Sequence, residues 1–409
     1  MKIIGLNIEE YKHLKDLHFD FTYQSGSRKG EALDKVCFIG QSATGKTTLL
    51  NLILDFKNRL SKTGKSINGS AECLFKDHDE SLISNVIKLQ NTGARVEYNF
   101  KSKENYLYYF DSELTSKNIF NQNFNKNIFL ENIPFRNLTE DLMLQNIISN
   151  YFIVFNLEDQ RNIWKYIFKS INDYRQKLTQ IGSDLVLKGI IADVQKFAIE
   201  MKEWNQKNPN PLIEIAEKIL NPILKKLQLE VHLSNTSELI PLKRIGHDEV
   251  LPLDVLSTGT MQLLMYALPL FKLPTENSII LIDEPERSLY PDLQIDLINY
   301  FTNLAPKAQF FVATHSPFIA AAFEPEERFI LYFEPDGEIN FRRGVAPIGD
   351  DPNDILDSDF GLESIVNNAG VEAYRKYQNL LSKMQKENDP IRKDQLLHQV
   401  TELGEIYNF

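Results

Sequence analysis

Apolar and polar positions alternate from the first residues of the chain. Ile3, Ile4 and Leu6, then Leu14, Leu17, Phe19 and Phe21, lead to the turn-rich Gln24-Ser25-Gly26-Ser27-Arg28-Lys29-Gly30. This period of two predicts one or two hairpin strands feeding a further strand at 35–39, Lys35-Val36-Cys37-Phe38-Ile39. The pattern then changes to an amphipathic helix over Leu49-Leu50-Asn51-Leu52-Ile53-Leu54. Residues 81–112 again read as strands: Ile83 to Leu89, a turn at Asn91-Thr92-Gly93, Arg95 to Phe100, and Tyr106 to Phe110. Their close spacing predicts an antiparallel side sheet. From about 112 to 137 the chain is Asn-rich and has no clear period.

Spacings of three and four return over 138–228, around 141–152, 160–180 and 183–204. A break at Asn208-Pro209-Asn210-Pro211 precedes a last helix from Leu212 to Leu227. Heptads are not sustained, so a compact helical insertion is expected rather than a long coiled-coil arm. Short β-like segments occupy 229–256. Two apolar strands follow at Ser278–Ile282 and Gln309–Ala313, with two more at Arg328–Phe333 and Glu338–Arg342. A tail from about 350 ends in two amphipathic helices split by Asp389-Pro390. The expected fold class is therefore α/β, a mixed sheet plus an antiparallel side sheet, with a helical insertion and a helical C-terminal tail. The expected divisions are an N-terminal lobe (1–137), the helical insertion (138–228), a C-terminal lobe (229–349) and the tail (350–409).

The turn between the strand at 35–39 and the helix after it carries the first chemistry. It reads Gly40-Gln41-Ser42-Ala43-Thr44-Gly45-Lys46-Thr47, followed by Thr48, which is G-x-x-x-x-G-K-T in a strand-to-helix setting. The glycines let successive backbone N–H groups form an anion nest at a positively polarised helix N-terminus. Lys46 is placed to reach β- and γ-phosphates, and the Thr47 hydroxyl to ligate Mg²⁺. This pattern predicts binding of a nucleoside triphosphate.

Two strand ends add to it. Ile279-Ile280-Leu281-Ile282 ends in Asp283-Glu284, which puts both carboxylates at the C-terminal end of a strand, where ligands sit in open α/β sheets. Asp283 is the candidate for holding Mg²⁺ through water, and Glu284 the candidate general base. His315 follows an apolar strand in the same way, in the context Thr314-His315-Ser316-Pro317, and is the candidate donor to a γ-phosphate. His13, His18, His78, His232, His247 and His398 lack that setting and read as ordinary polar residues. Leu256-Ser257-Thr258-Gly259-Thr260-Met261-Gln262 opens a helix. Ser257 and Gly259 there can offer a hydroxyl and backbone N–H groups to a phosphate, or Ser257 can serve simply as the helix N-cap.

Composition narrows the classes. A chain of 409 residues with 43% hydrophobic and 25% charged content allows two or three domains, or one with a large insertion. No apolar run approaches the ~18–20 residues of a membrane span. The N-terminal stretch lacks a secretory pattern. Two cysteines, Cys37 and Cys73, rule out a disulfide framework or a Cys-based zinc site. A cytoplasmic location is expected. The net charge of −11 argues against indiscriminate DNA binding and leaves local basic candidates at Lys57, Arg59, Lys62, Lys65, Arg342 and Arg343. After residue 345 there is neither the acidic-strand pattern of a TOPRIM nuclease nor the His/Asn cluster of an HNH site.

In order and context, Gly40–Thr47, Ser257–Gln262, Ile279–Pro285, Glu286–Pro291 and Thr314-His315 are similar to the Walker A, signature, Walker B, D-loop and H-switch of ABC-type ATPases. The form Asp-Glu-Pro-Glu-x-x-Leu-x-Pro and the insertion between Walker A and signature resemble the non-transporter branch: the structural-maintenance-of-chromosomes (SMC), RecF and overcoming-lysogenization-defect ATPases. The likeness covers about 1–110 and 236–345. Tyr290 stands where that family usually has His, and Thr260 where it often has Glu. Gln90 and Gln145 are both candidates for its Gln-loop residue.

The resemblance implies an Mg²⁺-dependent ATP hydrolase in which two copies sandwich two ATPs. Lys46 and Thr47 of one copy would face Ser257 and Gly259 of the other. It also implies a switch with slow turnover, like the ATPase components of Septu, retron-associated and PARIS-type anti-phage systems, acting on a partner effector such as a nuclease. A RecF-like DNA-binding role in repair is the alternative.

Overall fold

The computed structural model describes residues 2–58, 69–76, 82–89, 95–96, 106–112, 153–154, 157–345, 347, 351–361, 368–387 and 389–407. The chain opens with β1 (Lys2–Tyr11) and β2 (Leu14–Asp20), an antiparallel hairpin in which Gly5 pairs with Asp20 and Tyr11 with Leu14. β3 (Lys35–Gly40) runs straight into helix α1 (Lys46–Asn58). Next come β4 (Gly69–Lys76), β5 (Leu82–Leu89), β6 (Arg95–Val96), β7 (Leu107–Phe110) and β8 (Ile153–Val154). Helix α2 (Leu157–Leu187) and helix α3 (Val194–Lys207) follow, and short helical turns then run from Pro211 to Leu227, including a π-turn at Ala216–Leu220.

The small ladder β9 (Leu229–Val231) and β10 (Leu242–Arg244) leads to α4 (Thr258–Lys272), β11 (Ile279–Asp283), α5 (Pro291–Ile295) and α6 (Leu297–Leu304). β12 (Gln309–Ala313), α7 (Pro317–Ala320), β13 (Arg328–Phe333) and β14 (Ile339–Arg343) complete the sheets. The tail holds α8 (Pro352–Ser358), α9 (Asn368–Lys386) and α10 (Pro390–Tyr407).

Two large sheets result. One is antiparallel, in the order β2-β1-β4-β5-β6; the other has seven strands in the order β14-β13-β3-β12-β11-β7-β8 and is parallel except for the β13–β14 pair. The parallel sheet is covered on both faces, as such sheets must be. On one face Val36, Phe38, Leu281, Phe311 and Phe329 pack with α1 and the inner face of β1, β2 and β4. There Phe21 meets Phe38, Phe311 and Phe329 edge-on, with ring centroids 5.2–6.1 Å apart. On the other face Cys37, Ile280, Ile282, Phe310 and Val312 pack with α2, α4 and the turns around Ile215–Leu224. Burial of each large apolar side chain stabilises the fold by roughly 1.5–3 kcal/mol.

Two strands depart from the sequence reading. Tyr106–Phe110 was expected in the side sheet, but Leu107–Phe110 pairs in parallel with β11 inside the seven-stranded sheet. All four of its residues are buried, as befits a strand covered on both faces. Strand β4 has no counterpart in that reading, although Ala71, Cys73 and Phe75 alternate into the core. The helices expected around 141–152 lie outside the described residues. In α2, Trp164, Ile167, Phe168 and Ile171 are buried, and the Trp164 indole N–H points at the Met265 sulfur 3.2 Å away on α4. Its last turns and α3 form a hairpin with solvent-facing Val186, Leu187, Ile191 and Val194. Trp204 of α3 returns to Tyr174 of α2 at 5.6 Å.

Candidate functional site

The site is built where β3, β11 and β12, neighbours in the parallel sheet, end together. Backbone geometry explains the glycines of the loop after β3. Gly40 has φ 147°, and a Cβ there would lie 2.2 Å from the Leu331 carbonyl oxygen. Gly45 has φ 95°, and a Cβ would lie 2.8 Å from Leu14 Cδ2 and 3.0 Å from His13 Nε2. The β1–β2 turn therefore closes over the loop, which places His13 beside it. Ala43 adopts a left-handed φ of 67°, and Thr44 Oγ1 donates to the Gln41 carbonyl at 2.8 Å. Gln41, Ser42 and Ala43 are exposed, whereas Thr44, Gly45 and Lys46 are buried; Thr47 is exposed and Thr48 half-buried.

Lys46 Nζ donates to the carbonyls of Gly40 and Gln41, both at 2.9 Å. Burial pulls its ammonium down to about 8, against the opposing pull of Glu284, Asp283 and Glu286. The Thr47 hydroxyl donates to Asp283 Oδ2 at 2.9 Å. Asp283 is 2% exposed; burial pushes its carboxyl up to about 6, with the Thr47 hydrogen bond opposing and the Glu284 charge adding to the rise.

Glu284 turns away from the strand with a left-handed φ of 47°, a sparsely populated conformation for a non-glycine residue. Its N–H donates to the Ala313 carbonyl at 2.9 Å, which fixes the turn to the end of β12. His315 Nε2 stands 3.8 Å from Glu284 Oε1, and both side chains are partly exposed. Burial and the nearby Lys46 hold the imidazole below its ordinary range, with Glu284 opposing.

Two residues behind this pair, Glu286 and Gln294, have no role in the sequence reading. Glu286 Oε1 accepts from Thr314 Oγ1 at 2.7 Å and from the His315 N–H at 2.8 Å. Gln294 on α5 accepts from Ser316 Oγ at 2.6 Å and donates to the Leu289 carbonyl at 2.8 Å. The acid of Asp-Glu-Pro-Glu was visible as part of a motif, but its partners Thr314 and His315 lie just after β12, far off in sequence.

Ser257 takes the capping role on α4, its Oγ accepting from Thr260 N–H at 3.2 Å and lying 2.9 Å from Thr260 Oγ1. Gly259 is buried beneath the turn after β11: a Cβ there would lie 2.0 Å from the Ser288 carbonyl oxygen. The contacts described for Ser257 and Gly259 thus run to α4 and to that turn, while the phosphate loop, Asp283, Glu284 and His315 come together. Ser257 and Tyr290 face solvent.

Arg342 and Arg343, read as basic-patch candidates, are turned onto the protein. Arg342 lies 3.7 Å from Asp359, and Arg343 stacks 4.2 Å over Phe329 and donates to the Glu326 and Asp20 carbonyls. Gln90, Gln145, Arg59, Lys62 and Lys65 lie outside the described residues.

The donor set fits a metal–triphosphate group. Glycines hold open a loop that a Cβ would fill at the start of a 13-residue helix, a buried ammonium lies within it, and a hydroxyl–carboxylate pair of hard oxygens stands beside it.

Residues 156–320 match the AAA ATPase domain family, a span that contains Ser257, Asp283, Glu284 and His315. Among solved structures, the SMC head domain from Thermotoga maritima aligns with 13% identity over 85% of this chain and 100% of its own length, at a TM-score of 0.42. An SMC head bound to the C-terminal winged-helix domain of ScpA aligns with 11% identity over 84% and 97%, at a TM-score of 0.41. An SMC head with an extended coiled coil, bound to the C-terminal domain of ScpA derived from Pyrococcus furiosus, aligns with 13% identity over 84% and 96%, at 0.37. Among the described residues no helix is long and apolar enough to cross a membrane.

Proposed function

We propose that the chain is a switch ATPase that binds ATP with Mg²⁺, hydrolyses it slowly and couples nucleotide state to an assembly. The observation that carries this reading is the meeting of Lys46, Thr47, Asp283, Glu284 and His315 at adjacent strand ends. The AAA ATPase domain match supports it.

In this reading the loop N–H groups and the N-terminus of α1 bind the phosphates. Lys46 exchanges the Gly40 and Gln41 carbonyls for phosphate oxygens, and Gln41 to Thr48 line the cradle. Thr47, and Asp283 through water, would hold Mg²⁺, which would neutralise phosphate charge. Glu284 orients the attacking water and accepts its proton, and His315 donates a ring N–H toward the γ-phosphate. The 3.8 Å between Glu284 Oε1 and His315 Nε2 is too long for a direct hydrogen bond, so each side chain keeps its polar atoms for the substrate side.

The finer form of the proposal is a dimer in which Ser257 and Gly259 of a second copy complete each site. Ser257, which faces solvent at the start of α4, supports it. We further assign the output to a partner effector, such as a nuclease, in anti-phage defence. The tail supports this assignment: α9 and α10 leave Tyr374, Ile391, Leu397 and Ile406 exposed. The inward-turned Arg342 and Arg343 weigh against the RecF-like DNA-binding alternative.

The test is phosphate release and native mass with and without ATP–Mg²⁺, for the wild type and Glu284→Gln, expressed with its neighbouring genes. ATP-dependent dimers that accumulate in Glu284→Gln and co-purify a nuclease support the switch. A chain that stays monomeric and gains salt-sensitive DNA affinity with ATP replaces it with the repair reading.

A further inference from the structure

The turn after β11 contains an acid to which the mechanism above gives no task. Glu286 sits two residues beyond Glu284, and its Oε2 is shielded from solvent without a hydrogen-bond partner. Its Oε1 accepts the Thr314 hydroxyl and the His315 N–H. Thr314 Oγ1 in turn accepts the Ser316 N–H at 2.9 Å, and Ser316 Oγ donates to Gln294, which donates to the Leu289 carbonyl. The Leu289 N–H donates back to the Glu286 carbonyl at 2.9 Å. The hydrogen bonds close a ring through residues 286, 289, 294, 316 and 314. Glu284 and His315 are each rooted in the segments this ring ties together.

A buried carboxylate beside Asp283 and Glu284 is costly. Burial pushes the Glu286 carboxyl up, and Glu284 adds to the rise against the bonds from Thr314 and His315. A residue that served only to fill space would be better apolar. What the carboxylate supplies is a strong acceptor aimed at the His315 backbone.

We propose that Glu286 is the positioning residue for His315. By holding the His315 N–H and the Thr314 hydroxyl, it fixes the direction of the imidazole toward Glu284, and Gln294 braces the same segment from α5. The inference rests on the catalytic reading of Glu284 and His315 given above.

The test compares Glu286→Ala, Glu286→Gln and Thr314→Val in the full chain with three readouts. These are ATP turnover, affinity for a fluorescent ATP analogue, and the His315 ring titration followed by NMR without nucleotide, assigned with His315→Gln. Glu286→Ala is expected to cut turnover by about tenfold to a hundredfold while analogue affinity stays within about threefold. Glu286→Gln keeps an acceptor oxygen and is expected to recover most of the loss. The His315 titration should move in Glu286→Ala and stay near wild type in Glu286→Gln. Thr314→Val should fall between them. Wild-type turnover and an unmoved His315 titration in Glu286→Ala overturn the inference. So does a loss of turnover shared equally with affinity and melting temperature, which marks a purely structural role. If the wild type binds no nucleotide, the functional reading fails, and the His315 titration still decides the role of Glu286.

Discussion

At the end of the main sheet where β3 and β13 begin, acids meet cations. Lys2 and Arg28 pair with Asp34 and hold its carboxyl below the ordinary value although burial pushes it up. Lys35 lies 3.5 Å from Glu327, and Arg328 is buried against Asp359 at 3.1 Å. At the opposite end, where β3, β11 and β12 finish, Asp283, Glu284 and Glu286 crowd together. The nearby ammonium of Lys46 gives its hydrogen bonds to two carbonyls. One end has its charges balanced inside the chain and fixes the fold, including the tail that Asp359 anchors. The other concentrates uncompensated acid around a phosphate loop, which is what a site for a cation and a polyanion requires.

The contrast is broken most strongly at the acidic end. Glu284→Gln is expected to lower ATP turnover by about 10²–10⁴-fold with an unchanged melting temperature, measured by phosphate release and calorimetry. The balanced end should respond in the opposite currency. Arg328→Ala leaves the buried Asp359 with only Arg342, 3.7 Å away at the surface, and is expected to cost up to about 3–5 kcal/mol of stability in a denaturant titration. Arg328→Met combined with Asp359→Leu should recover most of that loss, and turnover per folded molecule should be unchanged.

The smallest effect is a pH slope. Burial pushes Glu327 from its ordinary 4.5 up to about 7, with Lys35 opposing. The folded state therefore binds this proton more tightly than the unfolded chain, and stability falls as pH rises from about 4.5 to about 7. In Glu327→Gln, which keeps an acceptor for the Glu324 N–H, the slope of melting temperature against pH in that window should flatten. An unchanged slope would assign it to Asp283 and Glu286 instead.

The strands and helices around the phosphate loop were legible because each announces itself locally. β3, β11 and β12 are unbroken apolar runs, and the residues after them are types whose backbone or charge demands a strand end. β7 was misplaced because Tyr106 to Phe110 gives the same apolar signal for a side-sheet strand as for a central parallel one; only its pairing with β11 decides. β4 was missed although Ala71, Cys73 and Phe75 alternate, since a small residue and a thiol stand where larger apolar side chains make the period visible. Glu286 was legible only as a motif residue, and Gln294 not at all. Their meaning lies in hydrogen bonds to residues 314–316, and no local pattern encodes a partner on another strand.

The strand order also bears on how the chain is made. β3 sits between β12 and β13, so Phe38 finds Ala313 on one side and Phe329 on the other. While the chain emerges from the ribosome, the strand that carries the phosphate loop waits for neighbours some 270–290 residues away, the non-local pairing that slows folding. Nucleotide binding should thus appear late in synthesis, after residue 333 has cleared the exit tunnel, and a truncated nascent chain would be held off ATP by topology alone.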